Sequence, residues 1–341
     1  MTDNQTVQEY EVVVIGGGPA GQTAALYSTR LGQKTALVDR GGGRAAMMQD
    51  VHNVLGVTEE TSGPEYLNVG KEQLTEYGCD LHRDVVTSCT RREDGTIVLA
   101  GNDTEYRTDY VVLATGFNDV RPDPPLPRTG RGLHYCLHCD AHMFVDQPTY
   151  VMGHNESTAH VAAILLNFTD EVDVLTRGEE PEWSEETQTM LENHPIDVVH
   201  ADITGVNNGE DGWLDSLEFE DGTEREYKGG FAMYGSKYNN GLATELGADV
   251  NDDGTVAVED HGETTAENVY AVGDLTPGHN QVPIALADGA KAGISIHFDA
   301  RDFPRAPEAI EEAGPVRDEE VPGIPDELLE QAIEFHTYDD D

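Results

Sequence analysis

Two cysteines stand three positions apart in Tyr135-Cys136-Leu137-His138-Cys139-Asp140, with a carboxylic acid directly after the second. A C-x-x-C pair can close a small disulfide ring and hold one thiolate at lowered pKa, which is the chemistry of thiol/disulfide exchange. The same pair could supply half of a zinc site, because His134, His138 and His142 flank it, or be two buried small side chains. Structural zinc takes four closed ligands, and Cys79 and Cys89 lie well upstream with no matching spacing, so these two read as ordinary buried thiols. Local sequence leaves redox and metal open. The nucleotide-binding signatures on either side of the pair favour redox.

The first signature is a β-α-β unit from Glu11 to Asp39. An apolar strand, Val12 to Ile15, runs into Gly16-Gly17-Gly18-Pro19-Ala20-Gly21, and a helical pattern follows through Ala24, Ala25, Leu26 and Leu31. A second strand, Thr35 to Val38, ends on Asp39. Gly16 allows the tight turn, Gly18 lets backbone approach a pyrophosphate, Gly21 lets helix and strand pack closely, and Asp39 can accept from ribose hydroxyls. The pyrophosphate belongs at the helix N-terminus, with Ala20 in the same loop.

Other elements must complete that sheet. Tyr66 to Tyr77 reads as a helix, and Asp80 to Val112 as short strands with turns at Asp94-Gly95 and Gly101-Asn102. Val111 to Ala114 is a continuous apolar strand ending in Thr115-Gly116. Arg121 to Gly132, rich in proline and glycine, reads as a linker. Beyond the cysteines comes a second strand, turn and helix: Thr149 to Met152, Gly153 to Thr158, and Ala159 to Phe168. Asn155 stands there in place of the second glycine and Thr158 in place of the third, and Arg177 is the single arginine where a 2′-phosphate site would want a cluster. That puts NADPH or NADH use in question. Asn268 to Asp274 is an apolar strand ending in Gly273-Asp274, followed by Gln281 and a helix from Pro283 to Phe298. Asp274 at the strand's end is placed to meet a ribityl or phosphate group at a topological switch point.

The charge is extreme. Among 341 residues, 66 acids face 20 Lys plus Arg, a formal net charge of -46. Acids spread along a chain that keeps regular apolar segments indicate a folded protein adapted to high salt, where self-repulsion is screened. Phosphate-neutralising contact with nucleic acid and docking on anionic lipid are both disfavoured. No apolar run reaches the roughly 20 residues that span a membrane, and the polar N-terminus lacks a secretory signal, so a cytoplasmic protein is expected. Residues 301 to 341 read as a solvated acidic tail, with Asp326 to Phe335 a candidate short amphipathic helix.

Taken together, Gly16-x-Gly18-x-x-Gly21 with Asp39, Ala114-Thr115-Gly116, Cys136-x-x-Cys139-Asp140 and Ala271-Val272-Gly273-Asp274 resemble, in order and spacing, the low-molecular-weight flavoprotein thioredoxin reductases. The resemblance covers about residues 10 to 300. It implies an α/β fold of two Rossmann-like domains: an FAD domain in two pieces (1-120 and 248-300), interrupted by a smaller dithiol-carrying domain (121-247), usually as a homodimer. By that resemblance Cys139 faces the flavin, Cys136 exchanges with substrate, and Asp140 is the nearby proton donor and acceptor. Gly16, Gly18, Ala20, Gly21 and Asp39 would hold the ADP half of FAD. Thr115, Gly116, Gly273, Asp274 and Gln281 would serve the rest. A thioredoxin-like protein or small disulfide is the implied partner. The altered second glycine motif is similar to two relatives: reductases drawing electrons from a donor such as ferredoxin, and gliotoxin-type dithiol oxidases that pass electrons to oxygen. The segment Val174 to Met190 resembles the second group, which commonly has His where this chain has Asp140. A reading from another class is a flavin-free metal-binding C-x-x-C module. A ferredoxin reductase on the same scaffold is disfavoured, since that chemistry needs no dithiol.

Overall fold

A computed structural model describes residues 6–123, 127–301 and 303–321. The candidate helix over Asp326 to Phe335 lies outside the described residues. The chain divides into two compact units, one of residues 1–48, 61–117 and 238–341, the other of 49–60 and 118–237.

The first unit begins with β1 (Thr6–Ile15), α1 (Pro19–Arg30), β2 (Thr35–Val38), α2 (Gly63–Glu76), β3 (Asp80–His82), β4 (Ser88–Arg91), β5 (Ile97–Ala100) and β6 (Thr104–Leu113). β7 (Phe117–Asp119) carries the chain out. The second unit holds β8 (Leu133–His134), α3 (Leu137–Asp140), β9 (Thr149–Met152), α4 (Glu156–Leu165), β10 (Val172–Leu175), α5 (Glu185–Glu192) and β11 (Ile196–Val199). It continues through β12 (Ile203–Asn208), β13 (Leu214–Phe219), β14 (Glu224–Glu226) and β15 (Gly229–Ala232). β16 (Ser236–Tyr238) returns the chain to α6 (Gly241–Glu245), β17 (Val269–Ala271), α7 (Val282–Ala300) and α8 (Pro307–Ala313).

Among the described residues, the first unit is built on a seven-stranded sheet in the order β3-β2-β1-β6-β5-β4, with β17 also paired to β6. β1, β2, β3, β6 and β17 run parallel, while β5 pairs antiparallel with both β4 and the start of β6. Parallel strands are covered on both faces, which is why Val12 to Val14 and Val111 to Leu113 are continuous apolar runs and are buried throughout. The second unit repeats the plan with a parallel sheet, β11-β10-β9-β15-β8, and adds an antiparallel β12-β13-β14. This is the α/β architecture expected from the sequence, each half a Rossmann-like layer sandwich. Among the described residues, no helix is long and apolar enough to cross a membrane.

Local chemistry explains where boundaries fall differently from the apolar pattern. α2 starts at Gly63, before Tyr66, because Ser62 and Glu65 close a capping box over its first turn. α4 starts at Glu156, before Ala159, because Asn155 caps it. The described part of the expected linker is packed into its unit: Thr129 bridges Leu133, and a Cβ on Gly132 would lie 2.7 Å from Leu214 Cβ. Residues 238–247 fold with the first unit, where Glu245 of α6 accepts the Cys89 backbone N–H of β4 at 2.9 Å.

α1 and α7 set the spacing beside the glycine loop. A Cβ on Gly289 would sit 2.2 Å from the Ala20 carbonyl oxygen, and one on Gly293 would sit 2.7 Å from Tyr27 Cβ. Backbone cannot yield as a flexible side chain can. Gly289→Val is therefore expected to destabilise the protein by about 1–3 kcal/mol in denaturant unfolding, the cost of overpacking a close-fitted contact; an unchanged midpoint would mean the helices are not in contact there.

Candidate active site

The cysteines lie at the end of a buried strand. β8 delivers Leu133 and His134, both buried, and Cys136 then caps the single turn α3, its Sγ accepting the Cys139 backbone N–H at 3.2 Å. The Cys136 carbonyl accepts the Asp140 N–H, also at 3.2 Å. Cys136 and Cys139 are joined in a disulfide with Cα atoms 5.3 Å apart, inside the usual span for such bonds. Both cysteines and Asp140 are half-buried, so a partner's sulfur can reach the pair while the surrounding backbone is held.

The flanking histidines part company. His138 and His142 are exposed, whereas His134 is buried, with its Nδ1 2.8 Å from Asp140 Oδ2. The metal-binding alternative does not find its ligands: the sulfurs are bonded to each other, His134 is turned to Asp140, and among the described residues no group of three His, Cys, Asp or Glu could hold an ion. Cys79 and Cys89 are buried free thiols. Burial pushes the Cys79 thiol up to about 11, and burial together with the neighbouring Glu245 pushes Cys89 up to about 12. Neither can form a reactive thiolate near neutral pH.

The first glycine loop has the shape of a cofactor cradle. Gly16 has φ +111°, and a Cβ there would lie 2.3 Å from the Ala114 carbonyl oxygen. A Cβ on Gly21 would lie 1.9 Å from the Gly16 carbonyl oxygen. These two glycines close the turn and press α1 on the sheet. A Cβ on Gly18, by contrast, meets nothing within 4 Å. Gly18 is also the N-cap of α1 and supplies no side-chain cap, and the first turn carries no acid, a helix start suited to an anion. Asp39 stands against this loop, and Lys71 of α2 lies 3.6 Å from its carboxylate. Ala20 packs toward Gly273, where an added Cβ would meet its methyl at 2.7 Å.

Thr115 and Gly116 are pinned by a residue with no sequence signal. Asn239 donates to the Thr115 carbonyl at 2.8 Å, and its own carbonyl accepts from the Thr115 hydroxyl at 2.8 Å. Asp274 lies beside Gly116, with Arg44 3.9 Å from its carboxylate, and Arg44 also sits over the Phe117 ring. Gln281 caps α7, its carbonyl taking the Ala285 N–H at 3.0 Å. Asp288, two turns on from Gln281, is half-buried; burial raises its carboxyl, and it accepts the Gly273 N–H. Sequence reasoning missed Asn239, Arg44, Lys71 and Asp288. Only Arg44 had a local signal, the Gly41-Gly42-Gly43 turn before it.

The second glycine-type loop is built the opposite way. Asn155 Oδ1 accepts from the Thr158 N–H at 3.0 Å, the Thr158 hydroxyl at 3.1 Å and the Ser157 hydroxyl at 2.8 Å, while its Nδ2 donates to the Met233 carbonyl at 2.7 Å. Glu156 follows in the first turn, its carboxylate held by the Ser184 N–H and the Thr187 hydroxyl. The side chain of Arg177 is buried against Asp202 at 3.0 Å and also donates to the Asp123 carbonyl. A dinucleotide's pyrophosphate would have to displace Asn155 and then meet the charge of Glu156.

The two loops give a clean test. Gly18 has φ −75° and ψ 179°, an extended conformation open to any residue. Gly18→Val is expected to fold with an unchanged unfolding midpoint while weakening flavin retention at least about tenfold, a loss of about 1.4 kcal/mol, read from bound-flavin absorbance after gel filtration. Full retention would mean no cofactor enters this loop.

Comparison with known proteins agrees with this geometry. Residues 10–289 match the family model for pyridine nucleotide-disulphide oxidoreductases. The chain is 30% identical over 305 residues to the thioredoxin reductase of Peptoclostridium acidaminophilum, covering 83% of this chain and 94% of that one. Among solved structures, the thioredoxin reductase of Streptococcus pyogenes superposes with a TM-score of 0.79 at 26% identity, covering 86% of this chain and 99% of the other. HlmI superposes with a TM-score of 0.80 at 25% identity, covering 92% and 99%. Membership implies FAD as the prosthetic group, and the open first loop suits it. With its disulfide, its open dinucleotide cradle and these matches, the chain belongs to the pyridine nucleotide-disulphide oxidoreductases, in the low-molecular-weight thioredoxin reductase family, and is an oxidoreductase enzyme.

Proposed function

We propose that this enzyme passes electrons between FAD and the Cys136/Cys139 pair, and from there to a thioredoxin-like protein or a small disulfide. The observation that carries the reading is the half-buried disulfide with Asp140 directly behind it, in a chain whose other unit offers an uncapped, acid-free glycine loop. Gly16, Gly18, Gly21 and Asp39 hold the ADP half of the cofactor. Thr115, Gly116, Gly273, Asp274 and Gln281 serve its other end, with Asn239, Arg44 and Asp288 keeping that end in shape. When bound, FAD supplies two-electron chemistry that can open or close a disulfide. Cys136 would exchange with the substrate and Cys139 with the flavin, and Asp140 would give and take the proton that each sulfur needs.

The electron donor is the finer point. Asn155 and Glu156 support a second reading, in which no nicotinamide takes part and the enzyme is a dithiol oxidase that delivers electrons to oxygen. Both readings share the dithiol centre, and an anaerobic titration separates them. NADPH and NADH are expected to leave the flavin absorbance unchanged, whereas a small dithiol bleaches it and air restores it. Rapid bleaching by either nicotinamide would overturn the exclusion argued from the second loop. In the same assay Cys136→Ser is expected to stay yellow and to lose disulfide turnover by on the order of 10³-fold or more. A colourless variant would instead assign the cysteine a structural part.

A cytoplasmic homodimer working at high salt completes the proposal. With a formal net charge of -46, the folded state should gain from screening. The unfolding midpoint is expected to fall as potassium chloride is lowered from the molar range to about 0.1 M, where the screening length lengthens to about 10 Å. A midpoint independent of salt would remove the high-salt assignment.

A further inference from the structure

We propose that His134 is a positioning residue of the dithiol centre: its buried imidazole fixes the Asp140 carboxylate in the orientation from which it exchanges a proton with the Cys136/Cys139 pair. The inference rests on the reading of Asp140 as the proton-carrying group and takes it one residue deeper.

The side chain of His134 is 4% exposed and that of Asp140 23% exposed, and Nδ1 and Oδ2 are 2.8 Å apart. The other ring nitrogen, Nε2, is buried with no hydrogen-bond partner. The ring is boxed by aromatic side chains: Phe144 edge-on at 5.3 Å between centroids, Phe231 at 6.0 Å and Trp213 stacked at 6.4 Å. Leaving a buried nitrogen unsatisfied is unfavourable, and an apolar ring would fill the same box without that penalty. What an apolar ring lacks is the Nδ1 contact. The box prevents the imidazole from turning away, so one nitrogen always meets Asp140.

The surroundings leave Asp140 as the charged group that His134 touches. His134 belongs to β8, and Asp140 comes from α3. Phe144, from the short helical turn after α3, and Phe231, from β15, are uncharged. Trp213, ahead of β13, has Lys228 over its ring at 5.2 Å, and Lys228 is itself 3.9 Å from Asp211. The proton on the Nδ1 to Oδ2 line is thus shared by a pair insulated on its inner side and half-open at the carboxylate.

The chemistry needs such a proton. When an external dithiol opens the disulfide, one reagent sulfur bonds to a cysteine sulfur, the Cys136–Cys139 bond breaks, and the leaving sulfur departs as a thiolate that takes up a proton. The reagent's second sulfur then releases the protein and leaves as a cyclic disulfide. Two electrons and two protons have moved to the pair and the reagent is oxidised. Removing the Nδ1 contact frees the carboxylate to rotate, and a proton carrier that is not held in place transfers less often.

The test follows disulfide opening by dithiothreitol in the flavin-loaded protein under anaerobic conditions, quenched in acid and read as labelled Cys136 and Cys139 by mass spectrometry. Dividing by the rate for a linear peptide disulfide at each pH cancels the reagent's own ionisation. Asp140→Asn is expected to lower this ratio about tenfold or more, and His134→Phe to lower it about tenfold. His134→Asn, whose amide can donate from the same position, should return it toward the wild-type value. An unchanged ratio in His134→Phe, or His134→Asn behaving like Phe, overturns the inference. An unchanged ratio in Asp140→Asn would instead overturn the reading of Asp140 itself. Should His134→Phe not fold, the wild-type imidazole N–H resonance decides: loss or a large shift in Asp140→Asn supports the pairing, and an unchanged resonance overturns it.

Discussion

The first amides of an α-helix have no partner within the helix, and how each helix start meets that requirement organises this enzyme. α1 leaves its first turn uncapped by any side chain, over a glycine that presents no Cβ, and so keeps a partial positive charge at its start. α3 spends a cysteine sulfur on the same need, Cys136 Sγ taking the Cys139 amide, and this sets the two sulfurs close together. α4 fills its own start with Asn155 and adds Glu156. Three answers to one backbone constraint set an uncapped loop, a disulfide and a side-chain-filled loop apart within one chain.

Burial sorts the cysteines in the same way. Cys79 and Cys89 are held in apolar surroundings that disfavour the thiolate, while Cys136 and Cys139 remain half-exposed beside a carboxylate and its imidazole. For all the chain's 66 acids, the buried residues of each unit are mostly apolar. The positive side chains near the cofactor loop are few and individually placed: Lys71 by Asp39, and Arg44 by Asp274.

Much of this was legible in the order of residues. Val12 to Ile15, the glycines at 16, 18 and 21, Asp39, and the strand ending at Thr115-Gly116 follow from side-chain size and period alone, since only a buried parallel strand runs apolar at every position and only glycine permits the approach of α1 to Ala114. The C-x-x-C spacing with its following acid points to exchange chemistry, and Asn155 stands visibly in the place of a glycine. Element starts at Gly63 and Glu156 were less visible, because a cap is set by a polar residue before the apolar pattern begins.

Other features were decided only when distant segments met. Asn239 reaches Thr115 across 124 positions, and Arg177 is removed from any phosphate-binding part by Asp202 and the Asp123 carbonyl. In sequence His134 is one of three histidines beside the cysteines; folding buries it, turns it to Asp140 and leaves the other two exposed. Sequence by itself determined which residues could do chemistry and the strand-turn-helix units that carry them, because those depend on neighbours along the chain. Tertiary structure decided which of them are paired, capped or closed off, because hydrogen bonds and burial depend on neighbours in space.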